Sequence, residues 1–330
     1  LKNKVRFIVI TVIGLLLLAL VLVRVDLRQM VDTLAAADYI YLLPALAAQM
    51  LFFLIKAWRW KYLFPSDRRI PFGTLFSTTL VGYFGNQIIG ASSGELLRSI
   101  VLGQKESWSK SATLGTIFVE KIWDILVLCL LLLAILWVVP LPPLVQTVGQ
   151  ASLLALVLGG LIVVLLLSRP EATSRLVSVI TNRLSARLAR RITGMLERFT
   201  LGVQAMQQWR RSLLALFLTV PLWLVLVVSF YFLGRASLIP LGLGPYIFPV
   251  VVIALAATIP NPPWNVGMLE ILSITTLGVF GVGSSQALAF VVLMRAMRLV
   301  PILWGYALFS KEGYGFRTRS QPGLEAEHPR

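Results

Sequence analysis

Residues 84–99 read FGNQIIGASSGELLRS. The surrounding chain is mostly hydrocarbon, yet Asn86, Gln87, Ser92, Ser93, Glu95 and Arg98 fall within thirteen residues, and the stretch also holds Gly85, Gly90 and Gly94. The stretch is either an aqueous loop between two helices or polar backbone held at membrane depth. The choice decides the topology, because every later loop changes side with it.

Composition fixes the setting. Of 330 residues, 58% are apolar and 13% charged, with mean hydropathy +0.85; a soluble domain carries roughly 25% charged residues. Runs such as FIVITVIGLLLLALVLV (7–23) and TLGTIFVEKIWDILVLCLLLLAILWVV (113–139) are continuous. They suit helices, which need ~20 residues to span, and not barrel strands, which alternate. The net charge of +16 sits at segment ends and in one loop, so it reads as orientation and anionic-lipid attraction, with no nucleic acid as partner. One cysteine, Cys129, and one histidine, His328, leave no disulfide framework, no metal site and no Cys–His or Ser–His chemistry. Lys2, Lys4 and Arg6 precede a first apolar run without a small-residue cleavage site, which reads as a retained helix.

Six segments have the length of full spans: 7–23, 40–57, 111–139, 151–167, 212–234 and 287–309. Two apolar regions, 72–106 and 245–283, are interrupted by polar or proline-rich stretches. Basic loops stay cytoplasmic. That places the N-terminus inside, the acidic loop 24–39 outside and KAWRWKYLFPSDRR (56–69) inside. The uncharged loop 141–150 falls outside; 168–211, with nine arginines against two glutamates, and the tail with Lys311, Arg317 and Arg319 fall inside. Helix 111–139 therefore starts inside, where residue 70 already lies, so 72–106 must enter from the cytoplasm and return. By the same count 245–283 dips in from outside. The alternative, a single span plus a loop in each region, puts 141–150 and the nine-arginine loop on the wrong sides.

The expected fold is an all-α polytopic membrane protein with six full spans and two re-entrant helical hairpins in an inverted-topology repeat, as in secondary transporters. One transmembrane domain covers 1–310, with repeat A at 7–139, repeat B at 151–309 and a disordered cytoplasmic tail at 311–330. SKSATLGTIFVE (109–120) and SSQALAFVVLMR (284–295) echo each other weakly, and place Glu120 and Arg295 at equivalent positions with opposite charge.

Irregular backbone at membrane depth is tolerated where it is buried in protein or lines a wet cavity. The first turn, GASSGE (90–95), has Gly90 and Gly94 for unusual backbone, and Ser92, Ser93 or Glu95 to cap the next helix; its free amides would attract an anion. The second, PNPPWNVGMLE (260–270), stops one helix with Pro260, Pro262 and Pro263 and restarts with Gly267 and Glu270. Glu95, Arg98, Glu120, Lys121, Asp124, Glu270, Arg295 and Arg298 are charges costing roughly 2.5–3.5 kcal/mol each at the bilayer centre. They should point inward and pair, either as a structural network between the repeats or as a path for a charged headgroup. Asn86, Ser92, Ser93, Gly94, Asn261, Pro263, Asn265 and Gly267 complete that candidate path. Segment 168–211 carries an apolar stripe (Leu176, Ile180, Leu184, Leu188, Ile192, Met195) among arginines, and reads as a basic amphipathic helix on anionic inner-leaflet lipid.

These motifs resemble the transmembrane domain of lysylphosphatidylglycerol synthetases, a family of flippase-like membrane proteins, over about 40–310. The resemblance rests on AWRWKYLF (57–64), GELLRS (94–99), VEKIWD (119–124), PWNVGMLE (263–270), and Arg295 with Pro301. The family's Gly-Glu-x-x-Arg is matched by Gly94, Glu95 and Arg98. In its Glu-Arg-x-x-Asp, Glu120 and Asp124 match while Lys121 stands for arginine, keeping charge but not the planar fork. In Pro-Gly-Gly-x-Gly-x-x-Glu, Pro263, Gly267 and Glu270 match while Trp264 and Asn265 replace glycines. ASS (91–93) stands where a proline and an arginine often precede Gly-Glu. The resemblance implies lipid translocation; no lipid synthesis is expected of this chain.

The function expected is translocation of a phospholipid or lipid-linked headgroup across a prokaryotic cytoplasmic (inner) membrane, with both termini cytoplasmic, no enzymatic activity and no cofactor. The partner is the lipid itself, and a homo-oligomer is allowed. Two other classes are a membrane-embedded transferase on a lipid-linked substrate and a partner subunit of a lipid-modifying enzyme. No Gly-x-x-x-x-Gly-Lys-[Ser/Thr] motif for ATP occurs in these residues.

Overall fold

The computed structural model describes residues 2–65, 69–90, 93–138, 142–168, 209–258 and 262–311. Every element among the described residues is helical. Ser92, Asn261, most of the basic segment 168–211 and the tail beyond Lys311 lie outside them.

The six long apolar segments coincide with α1 (Lys2–Arg24), α3 (Leu42–Lys61), α6 (Lys110–Val138), α7 (Pro143–Ser168), α8 (Trp209–Ala236) and α11 (Ser284–Lys311). Three helices among the described residues are long and apolar enough to cross a membrane: Tyr39–Lys61, which is a 3-10 turn continued by α3, then α8 and α11. Thr11–Val23, Gly149–Gly159 and Gly244–Ala256 are shorter apolar stretches.

The structure corrects three expected loops. Segment 24–39 is not merely a loop. It holds α2 (Leu27–Ala35), started by Asp26, whose carboxylate accepts from the Arg28 and Gln29 amides at 2.9 and 3.1 Å. A side-chain acceptor there satisfies amides that the first turn leaves free, and α2 packs against α11. Helix α7 begins at Pro143, inside the expected loop 141–150, since proline's fixed φ suits a first helical position. The basic stretch 56–69 opens as helix, because no breaker intervenes before Pro65, and α3 runs on to Lys61.

The interrupted region 72–106 folds as α4 (Phe72–Ile88) and α5 (Ser93–Glu106). They lie antiparallel: Gly94 meets Gly82 and Asn86, Arg98 meets Gly82, and the Lys105 ammonium donates to Ser77 Oγ at 2.8 Å. Partner numbers fall as α5 numbers rise. A methyl group on Gly94 would run into the Gly82 carbonyl, so the two glycines set the close approach. Region 245–283 folds as a 3-10 turn (Gly244–Tyr246), α9 (Ile247–Ala256), a second 3-10 turn (Pro263–Asn265) and α10 (Met268–Gly278).

Helices α3 and α8 form the central contact, with Ser229 Oγ donating to the Ala45 carbonyl at 2.9 Å and Phe52 edge-on to Trp223. Helix α4 packs on α11, where Gly305 lets the α11 backbone sit against Leu80. Helix α9 packs on α6, α5 on α6, α10 on α11, and α1 on α10. Among the described residues two large apolar cores result, beside a small cluster of Val21, Val25 and Leu288. One gathers Trp60, Phe64, Leu102, Ile117, Val119 and Ala215. The larger holds Val127, Leu128, Trp223, Phe230, Ile253 and Phe290. Along α6 they are separated by the turn that carries Glu120, Lys121 and Asp124.

Candidate functional site

Asp124 is the middle residue of α6, between the two apolar cores. A charge there must be neutralised locally, since a lone ion taken from water costs several kcal/mol. Glu120, almost wholly buried, accepts both Nη groups of Arg98 at 3.2 and 2.8 Å. Lys56 Nζ lies 2.7 Å from the same carboxylate and Arg59 Nη2 lies 3.3 Å from it. Arg59, fully buried, spans to Asp124 with Nη2 at 3.2 Å and donates from Nη1 to Thr219 Oγ1 at 2.9 Å. Trp223 Nε1 donates to Asp124 Oδ1 at 3.1 Å. The Arg98 guanidinium also lies over the Trp60 ring, 3.9 Å from its centroid, and the Trp60 indole is fixed by Thr116 Oγ1 at 3.0 Å. Lys121 reaches back to Glu95 at 2.7 Å.

Four cations thus face three carboxylates. They line or back a cavity of about 240 Å³. Lys56 and Phe52 enter it from α3, Thr79, Tyr83 and Asn86 from α4, and Glu95 and Arg98 from α5. Glu120, Lys121 and Asp124 come from α6, Trp223 from α8, and Ala254, Ala257 and Thr258 from the end of α9. The cavity therefore lies between the two interrupted regions.

A second cluster holds the other turn together. Arg295 Nε donates to Glu270 Oε1 at 2.8 Å and Nη1 to the Trp264 carbonyl at 2.9 Å. The other Glu270 oxygen accepts the Gly267 amide at 2.8 Å, capping α10. Trp264 and Asn265 have φ of 59° and 52°, and Gly267 has 80°. These are left-handed conformations in which only glycine escapes a steric cost. Gly267 also presses on α1, where a methyl group would meet the Gly14 carbonyl.

The structure brings Asn86, Glu95, Arg98, Glu120, Lys121 and Asp124 together as the sequence suggests. Other expectations change. Glu120 and Arg295 belong to separate clusters and are not each other's partners. Ser93 Oγ donates to the Gly85 and Gly90 carbonyls at 2.7 and 2.6 Å and does not cap α5. The Gly94 amide, expected to be free for an anion, is taken by Asn86 Oδ1 at 2.8 Å. Gly94 and Gly267 serve close packing. Pro263 and Asn265 shape the second turn, and with Glu270 and Arg295 they stand apart from the cavity lining. Arg298 makes no ion pair among the described residues and lies within electrostatic reach of Tyr83. Ser92 and Asn261 lie outside the described residues.

Sequence reasoning missed Lys56 and Arg59, which read as part of a cytoplasmic basic stretch. Their spacing of three beside Trp60, in a helix unbroken until Pro65, is the signal that marks an inward face.

A helical bundle with apolar cores and a charged cavity between two short helical pairs defines a polytopic membrane protein. The chain belongs to the lysylphosphatidylglycerol synthase transmembrane region family, whose profile matches residues 7–305. This places it in a membrane, in a family of lipid-related function. No curated protein and no solved structure gives a significant match.

Proposed function

We propose that the protein translocates a phospholipid or lipid-linked headgroup across a prokaryotic cytoplasmic membrane. The observation that carries the reading is the ion-paired cavity of about 240 Å³ between the two interrupted helical regions. Sites for whole drug-sized ligands run from roughly 300 Å³ upward. This one suits a headgroup while the acyl chains stay in lipid.

Helix lengths favour re-entry. At 1.5 Å per residue, α4 and α5 reach only ~25 and ~21 Å, and α9 and α10 ~15 and ~17 Å, against ~30 Å of hydrocarbon. Basic loops then fall on one side, with both termini cytoplasmic. The packing supports an inverted repeat: α5 on α6 echoes α10 on α11, and α4 on α11 echoes α9 on α6. In this arrangement the more exposed cavity cations take phosphate. The carboxylates hold those cations when no headgroup is present, so the empty cavity keeps only one net positive charge. The work is positional and needs no bond-making by the protein.

The test is reconstitution in liposomes with headgroup-labelled lipids and an impermeant quencher on one side. The expected result is label crossing faster than in protein-free vesicles for at least one lipid class. No acceleration across anionic, aminoacylated and polyprenyl-linked lipids would overturn the proposal.

A further inference from the structure

The four cations of the cavity are not equally free. Arg98 gives both Nη groups to Glu120 and its face to Trp60. Arg59 is wholly buried and bound to Asp124, Glu120 and Thr219. Neither can turn to a ligand without breaking several buried contacts at once. The lysines differ. The Lys56 and Lys121 side chains are 22% and 41% exposed, against 0% and 6% for Arg59 and Arg98. An ammonium has three N–H donors, and among the described residues each lysine ammonium makes one ion pair, at 2.7 Å. Both line the cavity.

Their release is also asymmetric to that of the arginines. When Lys56 leaves Glu120, the carboxylate keeps Arg98 and Arg59. When Lys121 leaves Glu95, the carboxylate exposed is the outermost paired with a cation here, at 18% against 2% for Glu120 and 14% for Asp124. A compact charge on a flexible stem suits a contact that must be made and broken, whereas the planar arginine fork suits one that is held.

Resting on the translocation reading, we infer that Lys56 and Lys121 are the phosphate-binding side chains of the cavity, while Arg59 and Arg98 are its fixed frame. The ligand chemistry is a phosphate ester. Lys121, the more exposed, meets it first, and Lys56 receives it deeper. Lys56 lies outside every motif that pointed to the site.

The experiment uses the full chain in nanodiscs, titrated calorimetrically with dihexanoyl phosphatidylglycerol and separately with inorganic phosphate. Lys56→Gln and Lys121→Gln should each weaken short-chain lipid binding about tenfold, the size of one charge-assisted hydrogen bond. The double variant should lose about a hundredfold, and Lys56→Gln alone should keep the wild-type unfolding midpoint, because Glu120 retains Arg98 and Arg59. A double variant that binds within twofold of wild type overturns the inference. So does a wild type that binds neither probe, or a Lys56→Gln variant that unfolds early, which would make Lys56 structural. Inorganic phosphate binding as tightly as the lipid, with the same losses, would assign the subsite to free phosphate and overturn the headgroup assignment. The liposome assay separates the two claims. If wild type moves no lipid but short-chain binding still depends on the lysines, translocation fails and this site stands. If the double variant moves lipid at the wild-type rate, this site fails and translocation stands.

Discussion

Glu120 answers three cations with one carboxylate inside an apolar bundle. Removing its charge leaves Arg98 and Lys56 without an anionic partner, and Arg59 with Asp124 alone. Breaking a buried pair costs about 3–5 kcal/mol because the orphaned charge stays buried. Glu120→Gln should therefore lower the unfolding midpoint in detergent markedly, and Asp124→Asn less, since Arg59 keeps Glu120. Equal midpoints for Glu120→Gln and wild type would contradict this. Trp264 offers a second test at the same scale. Its φ of 59° suits glycine, the residue the related pattern carries there. Trp264→Gly should relieve backbone strain of about 1–2 kcal/mol, while Trp264→Val, β-branched at positive φ, should be less stable than either. A valine variant as stable as the glycine variant would show that the turn relaxes. The sequence made Glu120 and Asp124 legible because charge in a long apolar run needs a partner. It hid Arg59, because a cation at the end of a span looks the same whether it points to lipid headgroups or inward.

At the scale of elements, the closest contacts are made through glycine. Gly94 lies on the α4 backbone and Gly267 on that of α1. Gly94→Ala should push α4 and α5 apart, at about 1–3 kcal/mol for overpacking. Gly73, in α4, has nothing within 4 Å of an added methyl; Gly73→Ala should instead gain about 0.5–1 kcal/mol from lower backbone entropy. Thermal unfolding of the pair separates contact from propensity, and two changes of the same sign would refute the packing argument. The interruption of 72–106 and 245–283 was readable from glycine, proline and polar clusters. Helix α2 was not: Leu27–Ala35 buries none of its residues, so hydropathy carries little trace of it. Nor could spacing reveal that Asn86 would reach across the turn to cap α5, since that depends on the antiparallel register.

At the scale of the molecule, the parity of crossings is the testable quantity. With Cys129→Ala as background, single cysteines at Arg69 and Ser107 flank the first helical pair, and at Gly242 and Gly283 the second. If both pairs are re-entrant, an impermeant thiol reagent labels the first two only from the cytoplasmic side and the last two only from the opposite side. Labelling of Arg69 and Ser107 positions from opposite sides would make the first pair a net crossing. Charge distribution is what proposes this topology in the sequence. The identity of the partners within each cluster needed the fold, because Arg98–Glu120 and Glu270–Arg295 are contacts between different helices.

The pairing in the cavity has a consequence for the membrane itself. Cations and carboxylates paired in this way leave less reason for a file of water and counter-ions to settle beside them. The cluster then acts as electrical insulation. Loss of one carboxylate would be felt as current: vesicles carrying Glu120→Gln protein should dissipate an imposed proton gradient sooner than those with the intact chain, whether or not any lipid is present to move.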